Sequence, residues 1–296
     1  MTGELRPGIA ATLEAGGLDV ADVVDVVRRA LGEDLALGPD VTTEATVPAD
    51  ARATADVVPR TTGVLAGLPV AAAVFALVGG PETDVVLHVA DGAAAEPGEA
   101  VLTVTGPARA LLTAERTALN LAGRLSGIAT LTRAWVDAVA GTGAAIRDTR
   151  KTTPGLRALE KYAVRCGGGV NHRMALGDAA LIKDNHVAAA GGIRAAVDAI
   201  RAHAPEVPLE VECDTLDQVR EALAVGVELV LLDNFSLEDT RAAVELVRGS
   251  AVRLEASGGL TLARAKDVAA TGVDYLAVGA LTHSAPVLDL GLDIRE

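Results

Sequence analysis

Residues 209–234 read LEVECDTLDQVREALAVGVELVLLDN, and this stretch decides the fold class. It begins with an apolar run at 209–211, continues as an amphipathic stretch at 215–223, and ends with a second apolar run at 228–232. Continuous apolar strands that alternate with helices are typical of a parallel sheet covered by helices on its faces. The stretch therefore predicts a strand–helix–strand unit of an α/β protein.

The same alternation extends over the second half of the chain. Further strands are predicted at 145–146, 179–182, 252–254 and 273–278, and further helices at 237–247 and 261–269. Polar or glycine residues follow every predicted strand. A barrel gathers the carboxyl ends of all its strands around one mouth, whereas an open doubly wound sheet brings together only the loops at its switch point. The pattern favours the barrel, with the open sheet as the alternative.

The first third of the chain predicts a separate α+β unit. A helix is expected at 18–31, strands at 85–89 and 101–105, and a long helix at 107–140 that contains the domain boundary. The uncharged stretch 63–80 is interpreted as a strand end, a turn and a short buried helix with a proline in its first turn, because alanine, valine and glycine dominate it. A membrane span is the less favoured interpretation.

Composition excludes several classes of function. The net charge is −14, the sequence pI is near 4.8, and aromatic residues make up 2% of the chain. Such a chain repels phosphate backbones and offers few rings for base stacking, so nucleic-acid binding is not expected. Cys166 and Cys213 form no framework of spaced pairs, and the start lacks a secretory pattern. We therefore expect a cytoplasmic protein with reduced thiols that does not bind membranes.

Positive charge is concentrated between Arg147 and Lys183, a segment that contains eight Lys/Arg residues and only three acids. We interpret Arg157, Lys161 and Arg165 as ordinary helix-surface charge, because their spacing of four places them along one side of a helix. Four of the other five cations follow predicted strands or a glycine loop, and we expect them at the barrel mouth: Arg150, Lys151, Arg173 and Lys183, with His172 beside them. A cluster of this kind suits a small polyanion.

The later strand ends carry a different chemistry. Glu212 and Asp233 suit ribose hydroxyls or a magnesium ion carried in on a polyphosphate. Ser257-Gly258-Gly259 and Gly279-Ala280 follow the last two strands, where barrels commonly bind phosphate through backbone N–H groups. Motifs for ATP hydrolysis, dinucleotide binding and zinc hydrolysis are absent from the sequence. The mouth is therefore expected to bind a polyanion and a phosphorylated sugar. A Schiff-base role for Lys183 is the alternative chemistry.

Eight blocks of this sequence resemble the quinolinate phosphoribosyltransferase family. They are Asp148–Gly155 (DTRKTTPG), Glu160–Tyr162, Gly167–Arg173 (GGGVNHR), Lys183–His186 (KDNH), Glu210–Glu212, Leu231–Phe235, Ser257–Leu260 and Gly272–His283. The resemblance implies an N-terminal α/β sandwich at 1–115, an irregular TIM-like α/β barrel at 116–284 and a tail at 285–296 that returns to the first domain. It also implies transfer of phosphoribosyl from phosphoribosyl pyrophosphate (PRPP) to quinolinate, with loss of carbon dioxide and pyrophosphate, to give nicotinate mononucleotide in NAD biosynthesis.

The resemblance also assigns individual residues. Those implied to bind quinolinate are Arg116, Thr149, Arg150, Lys151, His172, Arg173 and Lys183. Those implied to bind PRPP and its phosphates are Lys151, Glu212, Asp233, Ser257, Gly258, Gly259, Val278, Gly279, Ala280 and His283. Lys151, Lys183, Glu212 and Asp233 form the implied catalytic set, with Mg²⁺ entering on PRPP near the last two and no organic cofactor. Arg116 is implied to complete the neighbouring site of a homodimer.

Two rival classes share this expected fold. One is a sister phosphoribosyltransferase-like protein linked to molybdenum uptake, which loses parts of the carboxylate-binding cluster. The other is a non-catalytic metabolite sensor, for which the acids Glu212 and Asp233 on the sugar side would have no use. Because both the cationic cluster and the acidic pair are present here, the sequence favours the quinolinate enzyme.

Overall fold

The apolar runs predicted as strands form strands in the computed structural model of this chain, which describes residues 5–295. The strands are β1 (Arg52–Pro59), β2 (Gly63–Val64), β3 (Asp84–Leu87), β4 (Ala94–Ala95), β5 (Leu102–Pro107), β6 (Ala145–Arg147), β7 (Ala180–Ile182), β8 (Leu209–Cys213), β9 (Leu229–Asp233), β10 (Arg253–Ser257), β11 (Tyr275–Ala277) and β12 (Leu290–Ile294).

The predicted helices are present at the expected places as well. The helices are α1 (Pro7–Ala15), α2 (Val20–Asp34), α3 (Val41–Thr46), α4 (Leu68–Gly79), α5 (Ala108–Ala138), α6 (Arg157–Cys166), α7 (Asp184–Ala190), α8 (Ile193–His203), α9 (Leu216–Ala224), α10 (Leu237–Val247), α11 (Ala265–Ala269) and α12 (Ala280–His283). Short 3₁₀ turns lie at Gly80–Glu82 and Leu262–Arg264. Among the helices described, none is long and apolar enough to cross a membrane.

The chain divides into two compact units. We call the first the sandwich unit; it takes the described residues up to Arg133, Thr153–Gly168 and the residues from Thr282 onward. The second, the barrel unit, takes Ala134–Thr152 and Gly169–Leu281. The α/β fold class predicted from the sequence is confirmed, with a sheet-and-helix unit at the N-terminus and a parallel sheet in the second unit.

The strand order of the barrel unit excludes the open doubly wound alternative. Its six strands pair in parallel in the order β6-β11-β10-β9-β8-β7. From β7 to β11 each strand lies beside its predecessor, so the order never reverses as a doubly wound sheet requires. The first strand, β6, pairs with the last, β11, which is the arrangement of a barrel.

The barrel is irregular between β6 and β7. Within the described chain these two strands do not pair; Val170, in the segment between α6 and β7, forms a parallel bridge with Arg147 instead. The Val170 N–H donates to the Ile146 carbonyl (2.8 Å), and the Asp148 N–H donates to the Val170 carbonyl (3.2 Å). The segment 169–173 therefore takes the place of a ladder strand beside β6.

The sandwich unit is built on an antiparallel sheet of order β12-β1-β5-β3. The buried helix predicted within 63–80 is α4, whose residues from Leu68 to Leu77 are all buried and whose Pro69 lies in the first turn. Gly67 precedes it with φ 87°, and the Asp91 carboxylate accepts the N–H groups of Gly67 (2.6 Å) and Leu68 (3.1 Å). Asp91 thus satisfies donors that the start of a helix leaves unpaired.

The interpretation of Lys161 as helix-surface charge is wrong. Lys161 has no exposed surface, because α6 buries the continuous run from Leu159 to Val164 and not a single stripe. The adjacent Glu160 is also fully buried, and Arg124 pairs with it at 2.9 Å. Spacing along one helix face does not reveal that a helix is covered on several sides. Arg165 is exposed, as expected, and donates to the Gly16 carbonyl (2.7 Å).

Candidate active site

The carboxyl ends of the barrel strands surround a cavity of about 650 Å³ within the barrel unit. In a parallel α/β barrel, functional side chains meet at this face. The lining residues are Thr149, Arg150, Lys151, His172, Arg173, Leu181, Lys183, Glu212, Leu231, Asp233, Asn234, Glu255, Ser257, Gly258, Gly259 and Ala277. Most side chains singled out from the sequence are therefore brought together in one place.

A buried aspartate joins the two loops that form the cationic wall. Asp148 has no exposed surface, and its carboxylate accepts the His172 N–H (2.8 Å) and the Asn171 amide (2.6 Å). Thr149 turns the loop by accepting the Lys151 N–H (3.0 Å). Asp148 thereby holds the loop that carries Arg150 against the loop that carries His172. Sequence reasoning noted Asp148 only as part of a motif and missed this role.

Two guanidinium groups are held close together in this wall. The Nε atom of Arg150 is buried and has no hydrogen-bond partner in the described chain. Arg173 donates to the Ala179 carbonyl (2.9 Å), and burial together with the charge of Arg150 lowers the pKa of Arg173. Buried donors normally find a partner. The Nε of Arg150 lacks an acceptor, and the positive charge of Arg173 lies close to it. The two guanidinium groups are therefore suited to bind an anion that enters the cavity.

Two acids and a tight turn line the part of the cavity formed by the ends of β8, β9 and β10. Lys183 forms an ion pair with Glu212 across β7 and β8. Asp233 accepts the side-chain amide of Asn234 (2.7 Å), and Asn234 adopts the left-handed region with φ 55°. Asn234 also donates its N–H to the Ser257 carbonyl (3.0 Å), which joins the ends of β9 and β10.

The approach of Asn234 explains the glycine pair after β10. A Cβ atom on Gly258 would lie 2.2 Å from Asn234 Oδ1, and the φ of Gly258 is +88°. Both the space and the backbone angle therefore require glycine at this position. Gly259, at φ +57°, continues the turn along the cavity. The turn leaves backbone beside the cavity where a side chain would otherwise stand.

The cavity floor contains a buried charged cluster that the sequence did not reveal. His172 Nε2 lies 2.7 Å from Glu210 Oε2 and 3.7 Å from Glu255 Oε1, while Arg147 Nη1 lies 2.7 Å from Glu255 Oε2. Burial, and next the charge of Glu210, raise the pKa of Glu255 to about 7. The only sequence signal would have been charged residues inside short apolar strands.

This cluster does not fit a metal site. One ligand atom from each of His172, Glu210 and Glu255 falls within 4.8 Å of the others. However, the Arg147 guanidinium already occupies one Glu255 oxygen, and a dication beside that guanidinium would be repelled. We therefore treat the cluster as a proton and ion-pair network.

The other predicted residues are placed as follows. Val278, Gly279 and Ala280 directly follow β11, next to the lining residue Ala277. Arg116 lies on α5 in the sandwich unit with 65% of its side chain exposed, 3.8 Å from Glu115. His283, also in that unit, is exposed and bonds Ser284 Oγ at 2.6 Å.

Fold and site together define an α/β-barrel protein in which one cavity, at the carboxyl ends of the strands, is lined by a cluster of cations and by acids and a glycine turn. Family models assign the chain more narrowly. The N-terminal domain model of quinolinate phosphoribosyl transferase matches residues 40–126, and the C-terminal domain model matches 128–293. The chain belongs to the quinolinate phosphoribosyl transferase family.

Relatives and solved structures agree with this assignment. The chain is 59% identical over 273 residues to the nicotinate-nucleotide pyrophosphorylase (carboxylating) of Mycobacterium leprae, covering 91% of this chain and 96% of the relative. It is 40% identical over 292 residues to the chloroplastic enzyme of that name from Oryza sativa, covering 92% and 78%. The nicotinate-nucleotide pyrophosphorylase structure from Francisella tularensis matches with a TM-score of 0.90 and 38% identity, covering 94% and 98%.

Proposed function

We propose that this protein transfers the phosphoribosyl group of PRPP to quinolinate and releases pyrophosphate and carbon dioxide, giving nicotinate mononucleotide for NAD biosynthesis. The observation that carries the proposal is the unpartnered Nε of Arg150 beside Arg173, in the same cavity as Asp233 and the Ser257 turn. A carboxylate of a pyridine dicarboxylate would supply the acceptor that the Nε of Arg150 lacks. The family membership and the names of the relatives support the same reaction.

On the quinolinate side, the cationic wall would bind the two carboxylates. Arg150 and Arg173 present planar guanidinium groups that suit carboxylates in bidentate geometry. Lys183 would turn from Glu212 toward the substrate, and Thr149 shapes the loop. His172 contributes through position, because its Nδ1 accepts the Arg173 N–H (2.7 Å) and its Nε2 faces Glu210.

On the PRPP side, Asp233 and Glu212 would bind the ribose hydroxyls, and Lys151 would contact the pyrophosphate. The Ser257–Gly259 turn, with Val278, Gly279, Ala280 and His283, would bind the 5′-phosphate. The carboxylate oxygens of Glu212 and Asp233 are the hard donors that Mg²⁺ prefers, so they fit the ion that PRPP carries. That ion would neutralise charge on the pyrophosphate.

The chemistry needs orientation more than a protein nucleophile. The pyridine nitrogen attacks the anomeric carbon, and pyrophosphate leaves with the electron pair of the broken C–O bond. Positive charge that develops on the ribose is stabilised by the acids, and the departing charge by Lys151. The bond from ring carbon 2 to its carboxylate then breaks, the electron pair stays on that carbon beside the cationic nitrogen, and a proton replaces the carbon dioxide. Binding two polyanions side by side supplies the proximity.

The assembly and compartment are part of the proposal. Domains at 1–115, 116–284 and 285–296 would form a homodimer in which the exposed Arg116 completes the neighbouring site. The protein would act in the cytoplasm, where a reducing environment suits the free thiols of Cys166 and Cys213, whose pKa values burial raises. Neither nucleic acid nor membrane is expected as a partner.

Product analysis tests the function directly. Purified protein with PRPP, Mg²⁺ and quinolinate should give nicotinate mononucleotide, pyrophosphate and carbon dioxide in equal amounts, and nicotinic acid should give no product. Failure to turn over quinolinate would contradict the proposal. It would favour the molybdenum-linked relative or the sensor, which the sequence left as alternatives.

A further inference from the structure

The floor cluster, Arg147, His172, Glu210 and Glu255, has a hydrogen-bond deficit. Glu255 and Glu210 have 0% and 3% of their surface exposed, and His172 has 8%. The second oxygens of the two acids, Glu210 Oε1 and Glu255 Oε1, are buried and have no hydrogen-bond partner in the described chain. Buried carboxylate oxygens normally accept hydrogen bonds. The presence of two buried carboxylate oxygens without a hydrogen bond in one cluster therefore requires an explanation.

The hydrogen bonds fix the state of the imidazole. The Nδ1 atom of His172 accepts the Arg173 N–H (2.7 Å), so this nitrogen carries a lone pair. The proton of the neutral ring is then on Nε2, which donates to Glu210 Oε2 (2.7 Å). Both ring nitrogens are therefore engaged, and His172 donates a hydrogen bond to neither of the two unpaired oxygens.

The net charge of the floor cluster then depends on whether Glu255 is protonated. The groups that face it are Arg147 from β6, Glu210 from β8 and His172 from the segment before β7. From β11, the ring centroid of Tyr275 lies 4.8 Å from the guanidinium carbon of Arg147. With both acids ionised, two buried carboxylates would share one guanidinium in direct contact, that of Arg147, while Arg173 acts on Glu210 from a distance. A buried charge without full compensation is costly. Burial and the charge of Glu210 raise the pKa of Glu255 accordingly.

We propose that Glu255 carries a proton when quinolinate occupies the cavity, and that this uncharged carboxyl keeps the floor electrically neutral beneath the cationic wall. Glu255 is thus a positioning residue that acts through charge. When it ionises, it repels the dianion that Arg150 and Arg173 attract. By linkage, the dianion strengthens the hold of Glu255 on its proton, so binding near neutral pH takes up protons. The inference rests on the proposed assignment of the cavity to quinolinate.

Calorimetry of quinolinate binding in two buffers of different ionisation enthalpy measures that uptake. At pH 7.5 the wild-type protein should take up part of a proton for each quinolinate bound. The Kd for quinolinate should weaken by about tenfold between pH 6 and pH 9, the effect of one nearby charge. Glu255→Gln should bind quinolinate with little dependence on pH and without this uptake, because glutamine has the shape of the protonated acid.

Controls separate titration from structure. Glu255→Asp restores a carboxyl group and should restore proton uptake. Glu228→Gln, a matched change at an exposed position in the same unit, should behave as wild type. Treatment with EDTA should leave the uptake unchanged, whereas its loss would assign the cluster to a metal. Equal proton uptake in Glu255→Gln and wild type would overturn the inference, as would no uptake by wild type.

The product assay separates this inference from the proposed function. If wild-type protein forms nicotinate mononucleotide but quinolinate binding shows no proton linkage, the inference about Glu255 fails alone. If quinolinate neither binds nor reacts, both fail. If Glu255→Gln does not fold, the wild-type pH series and the comparison of wild type with Glu255→Asp still test whether Glu255 takes up the proton.

Discussion

Lys183 and Glu212 neutralise each other across neighbouring strand ends of the cavity. The two side chains belong to opposite substrates in the proposed reaction, and the ion pair links the two halves of the site. Quinolinate would compete with Glu212 for the ammonium group, and the sugar would then meet a carboxylate released from its partner. In the proposed reaction the pair would thus couple the occupancy of one half of the site to the charge of the other.

Removal of Lys183 should therefore damage the site twice. Lys183→Ala takes a cation from the dicarboxylate and leaves the Glu212 charge uncompensated beside it. We expect turnover to fall by more than about tenfold, measured as nicotinate mononucleotide formed at saturating substrates. The double variant Lys183→Ala/Glu212→Gln should lose less than the sum of the single losses in free energy. Near-wild-type turnover of Lys183→Ala would remove this residue from the active site.

Arg150 should not tolerate replacement by lysine. Arg150→Lys keeps the charge but loses the planar fork that can bind a carboxylate with two hydrogen bonds. The KM for quinolinate should rise by about tenfold or more, with a smaller change in the KM for PRPP. Arg220→Lys, at an exposed helix position, is the matched control and should be silent. An unchanged KM for quinolinate would show that the buried Nε of Arg150 serves the fold and not the substrate.

The turn after β10 gives a prediction about backbone shape. Gly258→Ala would place a methyl group 2.2 Å from Asn234 Oδ1 at a φ that only glycine adopts easily. We expect weaker PRPP binding, seen as a raised KM, because the Ser257–Gly259 turn and Asn234 must both move. Gly177→Ala is the control, since a Cβ there meets nothing within 4 Å. Equal effects of the two variants would contradict the assignment of this turn to PRPP.

Glu255 should make the stability of the barrel unit depend on pH. Burial raises its pKa from 4.5 to about 7. Between these values the folded state holds a proton that the unfolded state has lost, so stability falls as pH rises. The decline should be on the order of 1 kcal/mol per pH unit and level off above pH 7.

Glu255→Gln should remove that decline, while Glu228→Gln should keep it. The single tryptophan, Trp135, is buried in the barrel unit, so its fluorescence during urea unfolding at pH 5 and pH 8 reports the comparison. A decline of the same size in Glu255→Gln and wild type would refute the prediction.

The proposed dimer predicts complementation between defective chains. Arg116→Ala and Lys183→Ala homodimers should each be nearly inactive. Mixed dimers should regain activity, since one of their two sites would contain neither change; about a quarter of wild-type activity is expected after random exchange of subunits. Size-exclusion chromatography with light scattering checks that each variant remains a dimer. No recovery on mixing would place Arg116 in the site of its own chain or outside any site.

Local patterns predicted most of the elements because the responsible signals are themselves local. Apolar runs predicted β8 and β9, and Asp19 at the start of the helix expected at 18–31 is the N-cap of α2. The strand-end residues were found because a barrel brings all such positions to one face. The roles of buried charged residues were not predicted, because their partners lie far away in the sequence. Glu255 pairs with Arg147, and Glu160 pairs with Arg124. A buried charge looks the same in sequence as an exposed one until its partner is known.

The bridge between Val170 and Arg147 has a consequence for motion. Because the N–H and carbonyl groups of Val170, two residues before His172, are held by the β6 edge, the segment 169–173 is attached to the barrel wall by backbone hydrogen bonds. Amide hydrogens at Val170 and Asp148 should exchange with solvent as slowly as those of the core strands, although they lie outside any regular strand. Selectivity for the acid would then reside in a scaffold that is already assembled before the ligand arrives, with little ordering left to do.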